Sequence, residues 1–441
     1  MAAHASLPRG SHHDRAAGLA VPYRGDVPWW EEGAAMTVDV RFRADGGHDT
    51  PVDADIFFAD GLPALVDESG ESMRDALTWL ALEPLTVEIG DDAWTLRAAG
   101  QVHVDRGRTA AGAAVRLTPG QFTELVTDRA TFMGFFTHGT LVQTSGRLEN
   151  LLDWWLVLRS LIDHRPIHTP GEPTFTTAGG TALDLHRSSG ADDDPAEMKH
   201  FLEEAGYLHI RGLFTEDEMR AIDRDMDRLA SEYAPNDERS WWATTADGVR
   251  RLVRMQQFET LSGDTSSLLR DGRFLRLGEI PGDGHRWRGT AQALTKPIGV
   301  TEGISDVPWH KDCSLGRHSY DCCSLTVGIS VTGADRVSGQ LRVVAGSHRV
   351  LVWPTFAGRD TGLPEVDLPT RTGDVTVHLS CTKHMSQPPV SRERRVLYTG
   401  FALPPTDPDA AAEEHKRLYR IMRSIPDGVS QRPSTVATTA S

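Results

Sequence analysis

The pattern of apolar and polar positions divides the chain into two bodies. From Met36 to about Arg165, short alternating runs ("MTVDVRFR", "LTVEIG", "AWTLRAAG", "QVHVD" and "AAVRLT") predict strands, with Gly90-Asp91-Asp92 as a hairpin signal. A helix is expected from about Ser72 to Leu82. Another starts in "TPGQFTELV", where Thr118 and Gln121 have capping-box spacing. "RLENLLDWWLVLRSLI" is apolar on nearly every face, as in a helix that is buried all round or lines an apolar cavity. Residues 36–165 therefore read as a small α+β domain.

Residues 166–195 are rich in Pro, Gly, Thr, Ser and Asp without a hydrophobic period, and their composition is that of a linker. The second body, residues 196–425, opens on helical patterns. Thr215 and Glu218 form a capping box, Phe214 is placed to staple onto Met219, and Met219, Ile222, Met226 and Leu229 share one helical face. Short strand-like runs continue to about residue 403, and Asp407-Pro408 starts a last helix toward Ile425. Residues 1–35 and 426–441 read as tails.

Composition narrows the function classes. A chain of 441 residues is long for one core, so two domains are the expectation. The net charge of −16 disfavours nucleic acid or an anionic membrane surface as a main partner. No apolar run reaches the roughly 18 residues of a membrane span, and the opening lacks the apolar centre of a signal peptide. A cytoplasmic protein without membrane insertion is expected. Cys313, Cys322, Cys323 and Cys381 lack the spacing of a disulfide framework or a zinc site, and read as reduced structural thiols.

"VPWHKD", residues 307 to 312, carries the candidate chemistry. On a strand, His310 and Asp312 project from the same face. They either hold a metal together or are two polar residues sharing that face. One imidazole and one carboxylate, joined by a second, distant imidazole, make the facial triad that leaves open positions on Fe(II). "TGDVTVHLSCTKHMSQPP" offers His378 and His384 for the second imidazole, and "SRERRVLYTGF" supplies arginines entering a strand.

Together with "FLEEAGYLHIRGLFTEDEM" and "SGQLRVVAGSHR", these motifs resemble the phytanoyl-CoA dioxygenase family of Fe(II)- and 2-oxoglutarate-dependent oxygenases over about 210 residues in family order. The resemblance implies a double-stranded β-helix, a jelly-roll or cupin-like barrel with flanking helices. It implies His310, Asp312 and His384 as iron ligands, Fe(II), 2-oxoglutarate and O2 as cofactor and cosubstrates, and Arg395 as the arginine holding 2-oxoglutarate. Ser386 matches a position whose hydroxyl helps hold the cosubstrate. Lys296 matches a lysine near it, with Gln292 on the same strand face. The chain departs from the family at Lys311, Met385 and Pro389, which leaves the metal ligands intact and points to an unusual substrate pocket. Asp312 itself disfavours the halogenating variants of this chemistry.

The stretch "TDRATFMGFFTHGTLVQTSGRLENLL", after "LTPGQFTELV", resembles a sterol carrier protein type 2 domain. That likeness implies a tunnel for lipids or acyl thioesters, although Phe135, Trp154 and Trp155, each taken alone, read better as core. The function expected is oxidation of an aliphatic C–H in a small apolar or carrier-linked molecule, lipid-like or thioester-bound, in specialised or lipid metabolism. A homodimer is compatible with the sequence. The alternatives are a non-catalytic lipid-binding protein with a vestigial barrel, and a metal used structurally or for sensing.

Overall fold

The computed structural model describes residues 51–424 apart from 70–71, 169, 172, 236, 304–306, 314–323 and 356–359. The strand expected at 36–43, both tails, Cys322 and Cys323 lie outside the described residues.

The first body is a five-stranded sheet of β1 (Leu85–Ile89), β2 (Asp92–Ala98), β3 (Val102–Arg106), β4 (Ala113–Leu117) and β5 (Val142–Ser145), in the order β3-β2-β1-β4-β5. β1 and β2 form a hairpin through Gly90, whose φ of 62° suits the turn. β1 and β4 run parallel. Thr118 and Gln121 close the expected capping box on helix Pro119–Val126. Helix Leu148–Ile162 is buried at every residue from Asn150 to Ile162, which explains its apolar circumference. Its one buried guanidinium, Arg159, bonds the carbonyls of Leu125 and Val126 at the end of helix Pro119–Val126, and pairs with Asp163 at 3.1 Å. Between this helix and Phe57, Phe58 and Phe122 there remains a cavity of about 10 Å³, the space of a single water.

The segment expected as a linker is held against the barrel. Ile167 bridges Leu351, Thr176 bridges Ala182, and Phe175, Leu183 and Leu185 pack on the barrel core. Its composition misleads because isolated apolar residues and backbone bridges do this without any periodic pattern.

The second body is a barrel of two facing sheets. Its strands are β6 (Ser189–Gly190), β7 (Tyr207–Arg211), β8 (Ser240–Thr245), β9 (Arg250–Gln256), β10 (Arg286–Trp287), β11 (Gln292–Lys296), β12 (Val300–Glu302), β13 (Val307–His310), β14 (Ser324–Ser330), β15 (Leu341–Val344), β16 (Glu365–Leu368), β17 (Val375–Leu379), β18 (His384–Ser386) and β19 (Arg394–Ala402). The larger sheet runs β12-β8-β9-β11-β19-β14-β17-β7-β6, with β10 on β19, and the smaller runs β13-β18-β15-β16. From β11 to β19 the chain passes back and forth between the sheets, the winding of a double-stranded β-helix. Leu325, Val327, Ile329, Val375, Val377, Leu397 and Phe401 face outward into a core shared with Met219, Ile222 and Met226 of helix Glu216–Leu229. Alternation therefore leaves the opposite, largely polar positions of the same strands pointing into the barrel.

Candidate metal centre

β13 ends on His310 and β18 begins on His384, and the antiparallel register sets these two residues directly opposite each other. Asp312 follows two residues after His310. Its Oδ1 lies 3.2 Å from His310 Nε2 and 3.7 Å from His384 Nε2. The three donor atoms lie within 4.8 Å of one another. Three ligands on one face of an octahedral ion, with bonds of about 2.1 Å, sit about 3 Å apart, so a small closure brings all three onto one metal.

The surroundings prepare these groups as ligands. His310 Nδ1 is 2.7 Å from the Pro308 carbonyl and His384 Nδ1 is 2.9 Å from the Thr382 carbonyl. A carbonyl only accepts, so each Nδ1 carries the proton and each Nε2 lone pair faces the site. Thr326 Oγ1 donates to Asp312 Oδ2 at 2.9 Å and fixes the carboxylate plane. Burial pushes the Asp312 carboxyl up, but His384, His310 and His378 together hold it well below the usual carboxylate range. Burial, with His378 and His310 as neighbours, drives His384 well below the usual imidazole range, so it is neutral. An ionised carboxylate and a neutral imidazole are the forms that bind a metal, and the donor set fits Fe(II).

His378 lies on β17, not among the three clustered ligands. Its ring is 4.2 Å from that of His384, and its Nε2 is 3.8 Å from Asp312 Oδ2. It is buried, and neither ring nitrogen has a hydrogen-bond partner among the described residues. It thus offers a further nitrogen beside the metal ligands.

A basic pocket lies on the barrel side of β18. Lys296 Nζ reaches Ser386 Oγ at 2.8 Å and the Gln387 carbonyl at 2.6 Å. Arg394 reaches Ser386 Oγ at 3.2 Å, the Gly339 carbonyl at 2.7 Å and the Tyr398 hydroxyl at 3.3 Å. Arg395, expected from the sequence to hold 2-oxoglutarate, is placed elsewhere. It points out of the barrel, where Asp223 and Asp227 of helix Glu216–Leu229 take its guanidinium at 2.7 and 2.6 Å. Strand parity is the reason: Arg395 shares its face with Leu397 and Phe401, which pack in the outer core, whereas Arg394 shares the inner face with Tyr398. The parity of those apolar residues is the signal in the sequence for which of the two arginines faces the barrel interior. Gln292 is half-buried on the Lys296 face of β11, opposite Tyr398 and Gln256.

Of the tryptophans near the barrel, Trp287 packs on the outer core beside Phe274 and donates to Thr399 at 2.9 Å. Trp242 donates to Ser240 at 2.9 Å. Trp241 lies under the Arg254 guanidinium at 4.0 Å. Thr326, Arg254 and Tyr398 escape sequence reasoning, because nothing local marks an isolated polar residue on an inner strand face. The sulfurs of Cys313 and Cys381 approach to 3.0 Å, and Cys313 Sγ lies 3.3 Å from the Ser380 carbonyl.

Residues 202–396 match the family described as phytanoyl-CoA dioxygenase (PhyH). Among solved structures, AviO1 from Streptomyces viridochromogenes Tue57 aligns at 22% identity and a TM-score of 0.40, covering 48% of this chain and 96% of that one. The non-heme alpha ketoglutarate dependent epimerase SnoN from nogalamycin biosynthesis aligns at 18% identity and a TM-score of 0.40, over 47% and 84% of the two chains. EctD from S. alaskensis, solved with 2-oxoglutarate and 5-hydroxyectoine, aligns at 16% identity and a TM-score of 0.40, over 54% and 86%. No curated protein matches the chain. Residues 202–396 match the phytanoyl-CoA dioxygenase family, the cluster of His310, Asp312 and His384 lies inside that stretch, and the chain is an Fe(II)- and 2-oxoglutarate-dependent dioxygenase.

Proposed function

We propose that the barrel oxidises an aliphatic C–H bond of a small apolar or carrier-linked molecule, with hydroxylation as the outcome, while 2-oxoglutarate is decarboxylated to succinate. One observation carries this reading: the triad of His310, Asp312 and His384 opens onto the same barrel interior as the Lys296–Ser386–Arg394 pocket. Iron bound by the triad supplies the place where dioxygen and the 2-oxo acid react. The remaining roles belong to the chain. Arg394 and Lys296 hold the distal carboxylate of 2-oxoglutarate by charge-assisted hydrogen bonds, and Ser386 lies between them to orient it. Thr326 keeps the Asp312 carboxylate turned to the metal. Trp241 and Arg254 form wall on the substrate side.

The N-terminal body acts in this reading as a scaffold, not a carrier. A cavity of about 10 Å³ does not admit an acyl chain, and the helix that would line a tunnel is spent on core packing. A cytoplasmic setting suits a chain whose four cysteines lack the spacing of a disulfide framework. Among the described residues no helix is long and apolar enough to cross a membrane.

The test is turnover under 18O2 with Fe(II), 2-oxoglutarate and a panel of aliphatic acids, amides and thioesters. One labelled oxygen in succinate and one in a hydroxylated product is the expected result. Failure of every aliphatic compound to stimulate succinate formation would overturn the substrate class.

A further inference from the structure

We infer that the N-terminal body clamps the iron-binding strand, and that Asp153 and Trp353 are positioning residues for the metal centre. The inference rests on the reading of His310 and Asp312 as ligands. β13 is an edge strand: in the order β13-β18-β15-β16 it has, among the described residues, a sheet neighbour on one side only. Its contact with β18 is short and irregular, with a register shift between Val307 and His310. An edge strand with so little pairing is poorly fixed unless something covers its free side.

Residues 351–355 cover it. Thr355 bridges His310, the Pro354 carbonyl accepts from Lys311 N at 2.7 Å, and Thr355 Oγ1 donates to the Trp309 carbonyl at 3.0 Å. Three consecutive residues of the ligand segment are thus tied to two of the covering segment. The other end of that segment belongs to the N-terminal body. Leu351 is 1% exposed within that body's apolar core, bridges Ile167, and accepts from His168 N at 3.3 Å. Trp353, packed on the same core, donates its indole N–H to Asp153 Oδ1 at 2.8 Å. Asp153 lies on helix Leu148–Ile162 and is 5% exposed. A carboxylate buried in so apolar a helix is costly without partners, and Trp353 is one of them. One residue, Pro354, separates Trp353 from Thr355. Displacement of the indole is therefore transmitted directly to the backbone facing His310.

The test uses the full chain with three substitutions. Trp353→Phe keeps the ring and removes the donor, Asp153→Ala removes the acceptor, and Asp153→Asn keeps an acceptor. Amide hydrogen exchange is followed in peptides covering 307–312 and 350–355, with β11 as the remote control, and Fe(II) affinity is measured anaerobically in the presence of 2-oxoglutarate. In Trp353→Phe and Asp153→Ala, exchange at 307–312 should quicken about five- to tenfold, the factor for one lost hydrogen bond. Iron affinity should fall by a similar factor while β11 stays at its wild-type rate, and Asp153→Asn should remain close to wild type. A uniform rise over all peptides means loss of general stability and overturns the positioning role. So does wild-type exchange at 307–312 in Trp353→Phe. If the wild-type protein binds no iron, the ligand reading fails, while the exchange data still decide the clamp.

Discussion

Lys296 and Arg394 are register partners across β11 and β19, and both bond the hydroxyl of Ser386. In the proposed function these two cations, converging on one hydroxyl beside the triad, receive the distal carboxylate of 2-oxoglutarate. Arg394→Ala should therefore raise the 2-oxoglutarate requirement by about 10- to 100-fold, equivalent to a charged contact of about 1.5 to 3 kcal/mol. Arg395→Ala removes contacts to Asp223 and Asp227 on the outside, whose ion pairs are worth about 0–1 kcal/mol in stability, and should leave that requirement near wild type. Titration of the 2-oxoglutarate dependence of succinate release checks both, and equal effects would remove Arg394 from the pocket.

His384 and His378 sit side by side, yet only His384 joins the cluster of three donor atoms. His384→Ala should abolish tight Fe(II) retention, and His378→Ala should keep it. Iron content after anaerobic loading and desalting distinguishes them. Retention by His384→Ala with loss in His378→Ala would exchange their roles.

The turn before β17 supports a pH prediction. Asp374 accepts from His209 Nε2 at 3.0 Å and from the backbone N–H groups of Gly212 and Arg371, each at 2.8 Å. Burial pushes its carboxyl up, but these donors outweigh burial and hold it below the usual range. A carboxyl lowered on folding contributes stability above its unfolded pKa of about 3.9, and that contribution is lost as pH falls through the folded value. Asp374→Ala should cost about 1–3 kcal/mol at pH 7, and its gap from wild type should close below about pH 4. Urea melts at both pH values measure the gap; one that persists unchanged in acid would mean that packing, not the charge, is what was lost.

The N-terminal body should bind fatty acids no more tightly as their chains lengthen. A working tunnel would add about 0.8 kcal/mol per methylene, close to fourfold in affinity for each carbon. Displacement of a fluorescent fatty acid by a homologous series reads this directly, and a steep chain-length dependence would restore the carrier reading.

What the sequence discloses follows the range of the forces involved. The capping boxes at Thr118 and Thr215 and the all-round apolar helix at 148–162 depend on neighbours within one or two turns, and they are legible. His384 comes from the family resemblance, and in the structure a turn at Gly373-Asp374, β17 and a short connection lead to it. Gly373, at φ 85°, is required there, since a side chain would collide with the Phe214 carbonyl. The outward placement of Arg395 is not legible, because it depends on which strand face meets the outer core, and that core is assembled from distant elements. The packed course of 166–195 and the bond from Trp353 to Asp153 are invisible for the same reason, their partners being remote in the chain.

The most direct measurement is anaerobic addition of Fe(II) and 2-oxoglutarate to the purified chain, followed by visible absorption and then by exposure to oxygen. Wild-type protein should show the weak charge-transfer band of a 2-oxo acid chelated to iron, lose it with oxygen, and release succinate. Asp312→Ala, with its fold retained, should show neither. Absence of the band in iron-loaded wild-type protein, or an undiminished band and succinate yield in Asp312→Ala, would contradict the assignment of His310, Asp312 and His384 as the metal centre.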